Sequence, residues 1–409
     1  MERPTSEVAG EQVHVYEAAG TELPAEPARG APHVDPDSDD EAMLPAERLL
    51  DIVPTRAPKR WKPKRVLVTP AALRWPLARR VAERAAAMGA EVTELPANRL
   101  TGLRGATDRE TYALAKSTLA VVEAPPSKRR LQPIPPSADW RVDLAEGCPA
   151  HCQYCYLAGS LTGPPVTRVY ANLPEILDGL AAYGPGGQHE PATRRREGEG
   201  ITFEASCYTD PLALEELTGS LAETIAFFGA WDADVGLRWT TKFDALGPLL
   251  DVDHRRRTRI RFSVNARDVT SRLEGGTAAL PERLGALRAA ARAGYRVGLT
   301  IAPIFPIPDW REGYGELLRD AAAALAGVPD VDLTVELITH RFTAGSRDVL
   351  LSWYPRTKVE MDPGQRTVKR TKFGSVKFVL PREVMSELRT WFEEAVDREL
   401  PAARVLYWT

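Results

Sequence analysis

The chain has 409 residues, 44% of them hydrophobic, enough to bury a large core and, by length, to form two or three structural units. Four cysteines are too few for a disulfide framework, and no apolar run approaches the roughly 18 to 20 residues of a membrane span. The start, MERPTSEVAGEQ, has no basic region followed by an apolar run, so a soluble cytoplasmic protein is expected.

The net charge of −3 hides an asymmetry. Residues 1–47 carry twelve Asp/Glu against two Arg, a net of −10, which leaves +7 on residues 48–409. The first stretch is rich in Pro, Ala, Glu and Asp and has no sustained apolar period, so it reads as a disordered acidic tail. The dense run RAPKRWKPKR at 56–65 is either a solvated face or a surface for an anionic partner such as nucleic acid.

Next, KRVLVTP (64–70) reads as a strand and LRWPLARRVAERAAAMG as an amphipathic helix ending at Gly89. AEVTELP and STLAVVEA follow as strands, giving a small α/β unit over residues 60–125. The Pro-rich APPSKRRLQPIPPSADW reads as a linker. From there to residue 380 strands and helices alternate: WRVDLAEG, GITFEAS, VGLRWTTK, RIRFSVN, RVGLTIAPI and VDLTVELITH each precede a helical or mixed segment. Six alternations predict a parallel sheet rolled into a partial (β/α)6 barrel over 138–380. Residues 184–200 read as an exposed flexible loop, and 381–409 as a C-terminal helix and tail.

In parallel α/β barrels, functional groups gather where strands end. Cys148, Cys152 and Cys155 follow the first expected strand, and Cys207 and Asp210 the second. Lys242 follows the third, Ser263 and Asn265 end the fourth, Ala302 ends the fifth, and His340 and Arg341 follow the sixth. Every reactive candidate therefore falls on one rim.

CPAHCQYCY (148–156) holds three of the four cysteines at C-x3-C-x2-C spacing. A structural zinc site asks for four ligands in two paired halves, and an ordinary iron–sulfur centre asks for four cysteines. A 4Fe–4S cube on three cysteines would leave one iron open. The residues alone leave iron–sulfur, zinc and incidental buried thiols as alternatives.

The same motif, with Tyr154 before Cys155, resembles the radical SAM signature. CPAHCQYCYL, RVYANL, FEASCYTDP, TTKFD, IAPI, ITHRFTAGSRDVLLSWYPRTK and AKSTLAVV together resemble the spore photoproduct lyase family across most of residues 60–380. The resemblance implies a 4Fe–4S cluster on Cys148, Cys152 and Cys155, whose open iron binds S-adenosyl-L-methionine. It implies reversal of spore photoproduct, a thymine dimer of ultraviolet-damaged DNA, by a 5′-deoxyadenosyl radical. Cys207 in FEASCYTD would quench the resulting thymine radical, and Tyr156 would relay hydrogen between that thiol and the cofactor. Tyr154, Thr209, Lys242, Ser263 and Ala302 sit where the family contacts the cofactor, and Arg341 suits a phosphate or base edge. An electron donor such as flavodoxin or ferredoxin is implied as a partner.

One stretch departs from the family pattern. KRTKFGSVKFVLP has Ser375 and Phe378 where that pattern leads one to expect tyrosines, while Lys369, Arg370, Lys372 and Lys377 keep the positive charge. Arg370 and Lys372 are thus expected to bind DNA, with the lesion contacts altered. A radical SAM enzyme acting on another nucleotide or other substrate is the alternative. A non-enzymatic, metal-stabilised DNA-binding protein is a third reading.

Overall fold

A computed structural model of the chain describes residues 57–160, 163–191, 198–370 and 376–409. The expected acidic tail, Arg56, Lys372 and Ser375 lie outside the described residues.

The small unit begins with β1 (Arg65–Val68), β2 (Glu91–Glu94) and β3 (Thr118–Val122), with β1 in the middle and all three parallel. The helix Pro76–Ala87 packs Leu77, Ala78, Val81 and Ala85 inward, a one-sided stripe at helical spacing. A second helix, Asp108–Lys116, starts where the Thr107 hydroxyl accepts the Glu110 N–H at 3.2 Å. Asp108 and Glu110 sit in its first turn, where carboxylates favour the positive end of the helix dipole. That cap fixes where the helix starts, and Lys116 is its last residue.

The expected linker is structured. It supplies β4 (Gln132–Ile134), antiparallel to β5 (Ala138–Val142). The chain then leaves β5 and enters the small sheet as β6 (Ala145–Glu146). After β7 (His151–Cys152) it returns as β8 (Thr167–Tyr170), parallel to β3 and antiparallel to β6. The small sheet therefore does not close at residue 125. The free edge of β3 recruits TRVY, whose inward residues Thr167, Val169 and Tyr170 are buried.

The main sheet continues through β9 (Ile201–Ala205), β10 (Val235–Thr241) and β11 (Thr258–Val264). A short β12 (Glu274–Gly275) pairs with β7, and β13 (Arg296–Ile304) and β14 (Leu333–Thr339) extend the main sheet. A hairpin of β15 (Thr367–Arg370) and β16 (Val376–Val379) follows, then the helix Arg382–Glu399 and β17 (Arg404–Trp408). The order is β17-β14-β13-β11-β10-β9-β5-β4, a curled eight-stranded half-barrel in which every pairing but β4–β5 is parallel. The expected C-terminal tail is thus an edge strand, and Thr409 donates its N–H to Leu337 at 2.9 Å. No helix among the described residues is long and apolar enough to cross a membrane.

The barrel interior is charged. Arg261 pairs with Glu204 and with both oxygens of Glu336, and Arg238 reaches Glu336 at 3.1 Å, all four side chains buried. Strand alternation puts Arg261, Gly298 and Thr334 in one row. A Cβ at Gly298 would lie 3.1 Å from the Arg261 Cγ and 2.8 Å from the Thr334 hydroxyl, so the glycine makes room for the arginine.

Candidate active site

The cysteine loop starts at Gly147, whose φ of +74° suits glycine and whose Cβ position would fall 2.4 Å from the Val166 carbonyl. Gly147 donates its N–H to Tyr208 at 2.9 Å and accepts the Thr209 hydroxyl at 2.6 Å. These two bonds tie the cysteine loop to the Cys207 loop. Further on, β7 pairs with β12 so that Cys152 faces Glu274, and the Gln153 N–H meets the Leu273 carbonyl at 2.9 Å.

Cys152 is buried, and Cys148 and Cys155 are half-buried. Burial pushes the Cys148 thiol up to about 12 and raises Cys152 and Cys155 as well. The three lie close enough for the charge on Cys155 to raise both Cys148 and Cys152. The backbone N–H of Ala150 is directed at the Cys148 sulfur, and those of Leu157 and Ala158 at Cys155. Donors aimed at sulfur favour thiolate, the ligand form, so the loop fits a sulfur-bound metal centre. Among the described residues no three His, Cys, Asp or Glu groups converge on one ion. A cube bound through three corners needs no such convergence, because each sulfur holds a different iron.

On one side of the loop stands Lys116, itself buried, donating its ammonium to the Cys148 carbonyl. One turn back on the same helix, the Tyr112 hydroxyl bonds His151 Nδ1 at 2.8 Å and the Tyr354 hydroxyl. Burial, with the Lys116 charge, lowers His151 to about 4, so its imidazole is neutral.

On the other side Lys242 is the hub. Its ammonium donates to the Tyr154 hydroxyl at 3.1 Å, the Ser263 hydroxyl at 2.9 Å and Glu274 Oε1 at 2.9 Å. Glu274 also accepts the Tyr154 hydroxyl and ion-pairs with Arg283 at 2.6 Å. Burial opposes ionisation of Glu274, yet Arg283 and Lys242 overcome it and hold the carboxyl down to about 2. The Lys242 N–H is itself fixed by Asp210 at 2.6 Å, a carboxyl that burial raises to about 6. Ala302 lies near the end of β13, beside the carbonyl of Pro303, which accepts from Asn265 at 2.7 Å.

Cys207 follows β9 by way of Ser206, whose φ of +57° is a left-handed conformation unusual for serine. The Ser206 hydroxyl accepts the Leu144 N–H at 3.1 Å, holding that turn against the end of β5. The thiol is half-buried. Burial, reinforced by Asp143 and Glu204, pushes it well above the ordinary range despite Arg141 and Arg261, so sulfur keeps its hydrogen. Tyr156, 46% exposed, donates its hydroxyl to the Cys207 carbonyl.

The structure thus joins Tyr154, Lys242 and Ser263 in one bonded group, and Tyr156, Thr209 and Cys207 in a second across the cysteine loop. Arg341 belongs to a third group. With Lys369 it depresses Lys377, whose ammonium burial also disfavours. Lys369 and Lys377 face each other across the hairpin, and Arg370 is exposed at the end of β15. Phe378, where the family pattern suggested tyrosine, stacks on Phe342 with ring centroids 5.2 Å apart. His340 is buried and neutral, lowered to about 3 by burial and by Arg366.

Glu274, Arg283 and Lys116 were not singled out from the sequence. Glu274 sits 120 residues from Tyr154, and no local spacing links them. Lys116 lay within AKSTLAVV, but only its contact with the cysteine loop gives it meaning.

A sequence model described as spore photoproduct lyase matches residues 61–409. The spore photoproduct lyase of Geobacillus sp. (strain Y412MC61) is 38% identical over 352 residues, 86% of this chain and 100% of that protein. That of Bacillus subtilis (strain 168) is 36% identical over 349 residues, 85% of this chain and 98% of that protein. Among solved structures, a spore photoproduct lyase double mutant with bound AdoMet and dinucleoside spore photoproduct superposes with a TM-score of 0.79 at 36% identity, covering 86% of this chain and 100% of that one. A spore photoproduct lyase complexed with dinucleoside spore photoproduct gives 0.78 at 37% identity, covering 85% and 99%. Three cysteines on a rim loop, a lone protonated thiol beside them and a match along nearly the whole described chain converge, and the chain belongs to the spore photoproduct lyase family.

Proposed function

We propose that this chain reverses spore photoproduct in ultraviolet-damaged DNA to two thymines, and that Cys207 supplies the hydrogen that completes the repair. It is a radical SAM lyase. Cys148, Cys152 and Cys155 would hold the 4Fe–4S cluster, and Tyr154, Lys242, Ser263, Thr209 and Ala302 would line the S-adenosyl-L-methionine site. Bound together, these cofactors would supply the radical chemistry that opens the lesion.

The protein's own residues then have separable tasks. Glu274 pairs with Lys242 and helps fix it between Tyr154 and Ser263, a preorganised polar wall. Cys207 holds a neutral S–H, the only form of a thiol with a hydrogen atom to give. Tyr156 bridges the cysteine loop and the Cys207 backbone, a contact that supports its role as the relay of hydrogen between the Cys207 thiol and the cofactor. Arg341, Arg370 and Lys372 would meet phosphate, since clustered like charges on the hairpin are relieved by an anion. The lesion must leave the base stack to reach Cys207.

The supporting fold reading is a (β/α)6 radical SAM barrel from β5, β9, β10, β11, β13 and β14, preceded by a small α/β unit and a disordered acidic tail. A cytoplasmic setting and a low-potential electron donor such as flavodoxin or ferredoxin complete it.

The observation that carries the reading is the protonated thiol of Cys207, a residue whose backbone carbonyl Tyr156 ties to the cysteine loop. The test is anaerobic turnover of a synthetic dinucleotide carrying the spore-photoproduct linkage. Restored thymidylyl-thymidine is expected; SAM cleavage without repair would move the substrate elsewhere.

A further inference from the structure

We propose that Lys116 is a positioning residue that raises the reduction potential of the cluster held by Cys148, Cys152 and Cys155. The inference rests on those cysteines holding the cluster and goes beyond it, to how readily the centre accepts its electron.

A lysine is rarely buried without a reason, because its ammonium is strongly hydrated. Lys116 is 8% exposed, and its ammonium is directed at the Cys148 carbonyl, inside the cysteine loop. The side chain has little freedom to leave. Its helix is capped at Thr107 and pinned at Tyr112, which bonds both His151 in the loop and Tyr354 beyond it.

Reduction of the cluster would add one electron, and hence one negative charge, to a centre held by the loop this cation contacts. A positive charge stabilises the reduced state more than the oxidised one, and a buried site weakens the screening that would erase the difference. Lys242 also lies near Cys152, but its ammonium is matched by Glu274. Lys116 is bonded to a neutral carbonyl, so its charge is left to act on the loop.

The test uses the full chain, reconstituted anaerobically with iron and sulfide, as parent, Lys116→Met and Lys116→Arg. Iron and sulfide are assayed first, and the midpoint potential is then read by EPR during reductive titration without SAM. Lys116→Met should keep its cluster and become about tenfold harder to reduce, a fall of ~59 mV for a one-electron couple. Lys116→Arg should return to within about threefold of the parent, because it keeps the charge. An unchanged midpoint in a fully loaded Lys116→Met protein overturns the proposal. Loss of iron in that variant also overturns it, assigning Lys116 to folding of the loop. A parent that takes up no iron–sulfur cluster overturns the cluster reading itself, and this inference with it.

Discussion

The Tyr156 hydroxyl donates to the backbone carbonyl of Cys207, so the residue that follows Cys155 touches the backbone of the lone cysteine. The contact spans 51 residues of sequence and joins two rim loops that also share the Gly147–Tyr208 and Gly147–Thr209 hydrogen bonds. The cysteine loop and the Cys207 loop are therefore built as one unit.

Cys207→Ala should leave the cluster intact, because Cys148, Cys152 and Cys155 are untouched. SAM cleavage should persist while clean thymine becomes a minor product and adducts with small reductants appear. The missing sulfur costs a methylene's worth of packing, ~1 kcal/mol, which a melting curve would register without unfolding the domain. Tyr156→Phe removes one neutral hydrogen bond worth about 0.5–1.5 kcal/mol and should lower the clean-product fraction with iron content unchanged. Cluster loss in Cys207→Ala would instead make Cys207 a fourth ligand.

The same thiol predicts a pH response. Burial, Asp143 and Glu204 hold Cys207 well above an ordinary cysteine, so S–H persists as pH rises. The fraction of product that is clean thymine should stay flat from about pH 7 to 9, whereas a thiol of ordinary pKa, about 8.5, would lose over half of its hydrogen-bearing form by the upper limit. Product partitioning by chromatography across that range checks it; a midpoint near 8.5 would contradict the raised pKa.

Much of this site was legible in the residues. C-x3-C-x2-C needs only local spacing, and the barrel strands announce themselves as β-branched runs before helices. What escaped depends on the third dimension. RVLYW became an edge strand because β14 offers it a parallel partner 70 residues away, not because of anything beside it. Of the arginines in RIRFSVN, Arg261 meets Glu204 and Glu336 inside the barrel and Arg259 meets Glu199 and Asp332, none of them a sequence neighbour. Glu274 is read as an unremarkable loop residue until β12 lies against β7.

That buried carboxylate should be costly to remove. Glu274→Gln leaves Arg283 and Lys242 without their counter-charge, at a loss of about 3–5 kcal/mol of stability. SAM affinity should fall as well, because Lys242 loses the partner that holds it beside Tyr154 and Ser263. The sign with pH is fixed by the depressed carboxyl, at about 2 in the folded chain. Its stabilisation is present above the unfolded value, about 4.3, and is lost as pH falls toward 2. The parent should therefore lose stability more steeply than Glu274→Gln over that acid range, and equal slopes in denaturant titrations would remove Glu274 from the network.

The basic hairpin predicts how DNA is held. Lys369 and Lys377 are opposed across β15 and β16, and Arg341 adds a third charge that disfavours the Lys377 ammonium. Crowded cations gain when phosphate enters, releasing the counterions that had screened the DNA. Affinity for damaged duplex should therefore fall steeply with salt, and Lys369→Ala with Lys377→Ala should reduce the log–log slope by about 2. The effect should be nearly the same for any sequence around the lesion, because phosphate carries no base identity. Deleting residues 1–47 removes a net charge of −10 and should leave affinity unchanged or raise it, since that charge competes with DNA for the same cations. Fluorescence anisotropy at several salt concentrations measures all three effects. A salt slope unmoved by the double lysine change would place the phosphate contacts off the hairpin, and the run at 59–65, where Lys62 and Lys64 are exposed, would be the next surface to neutralise.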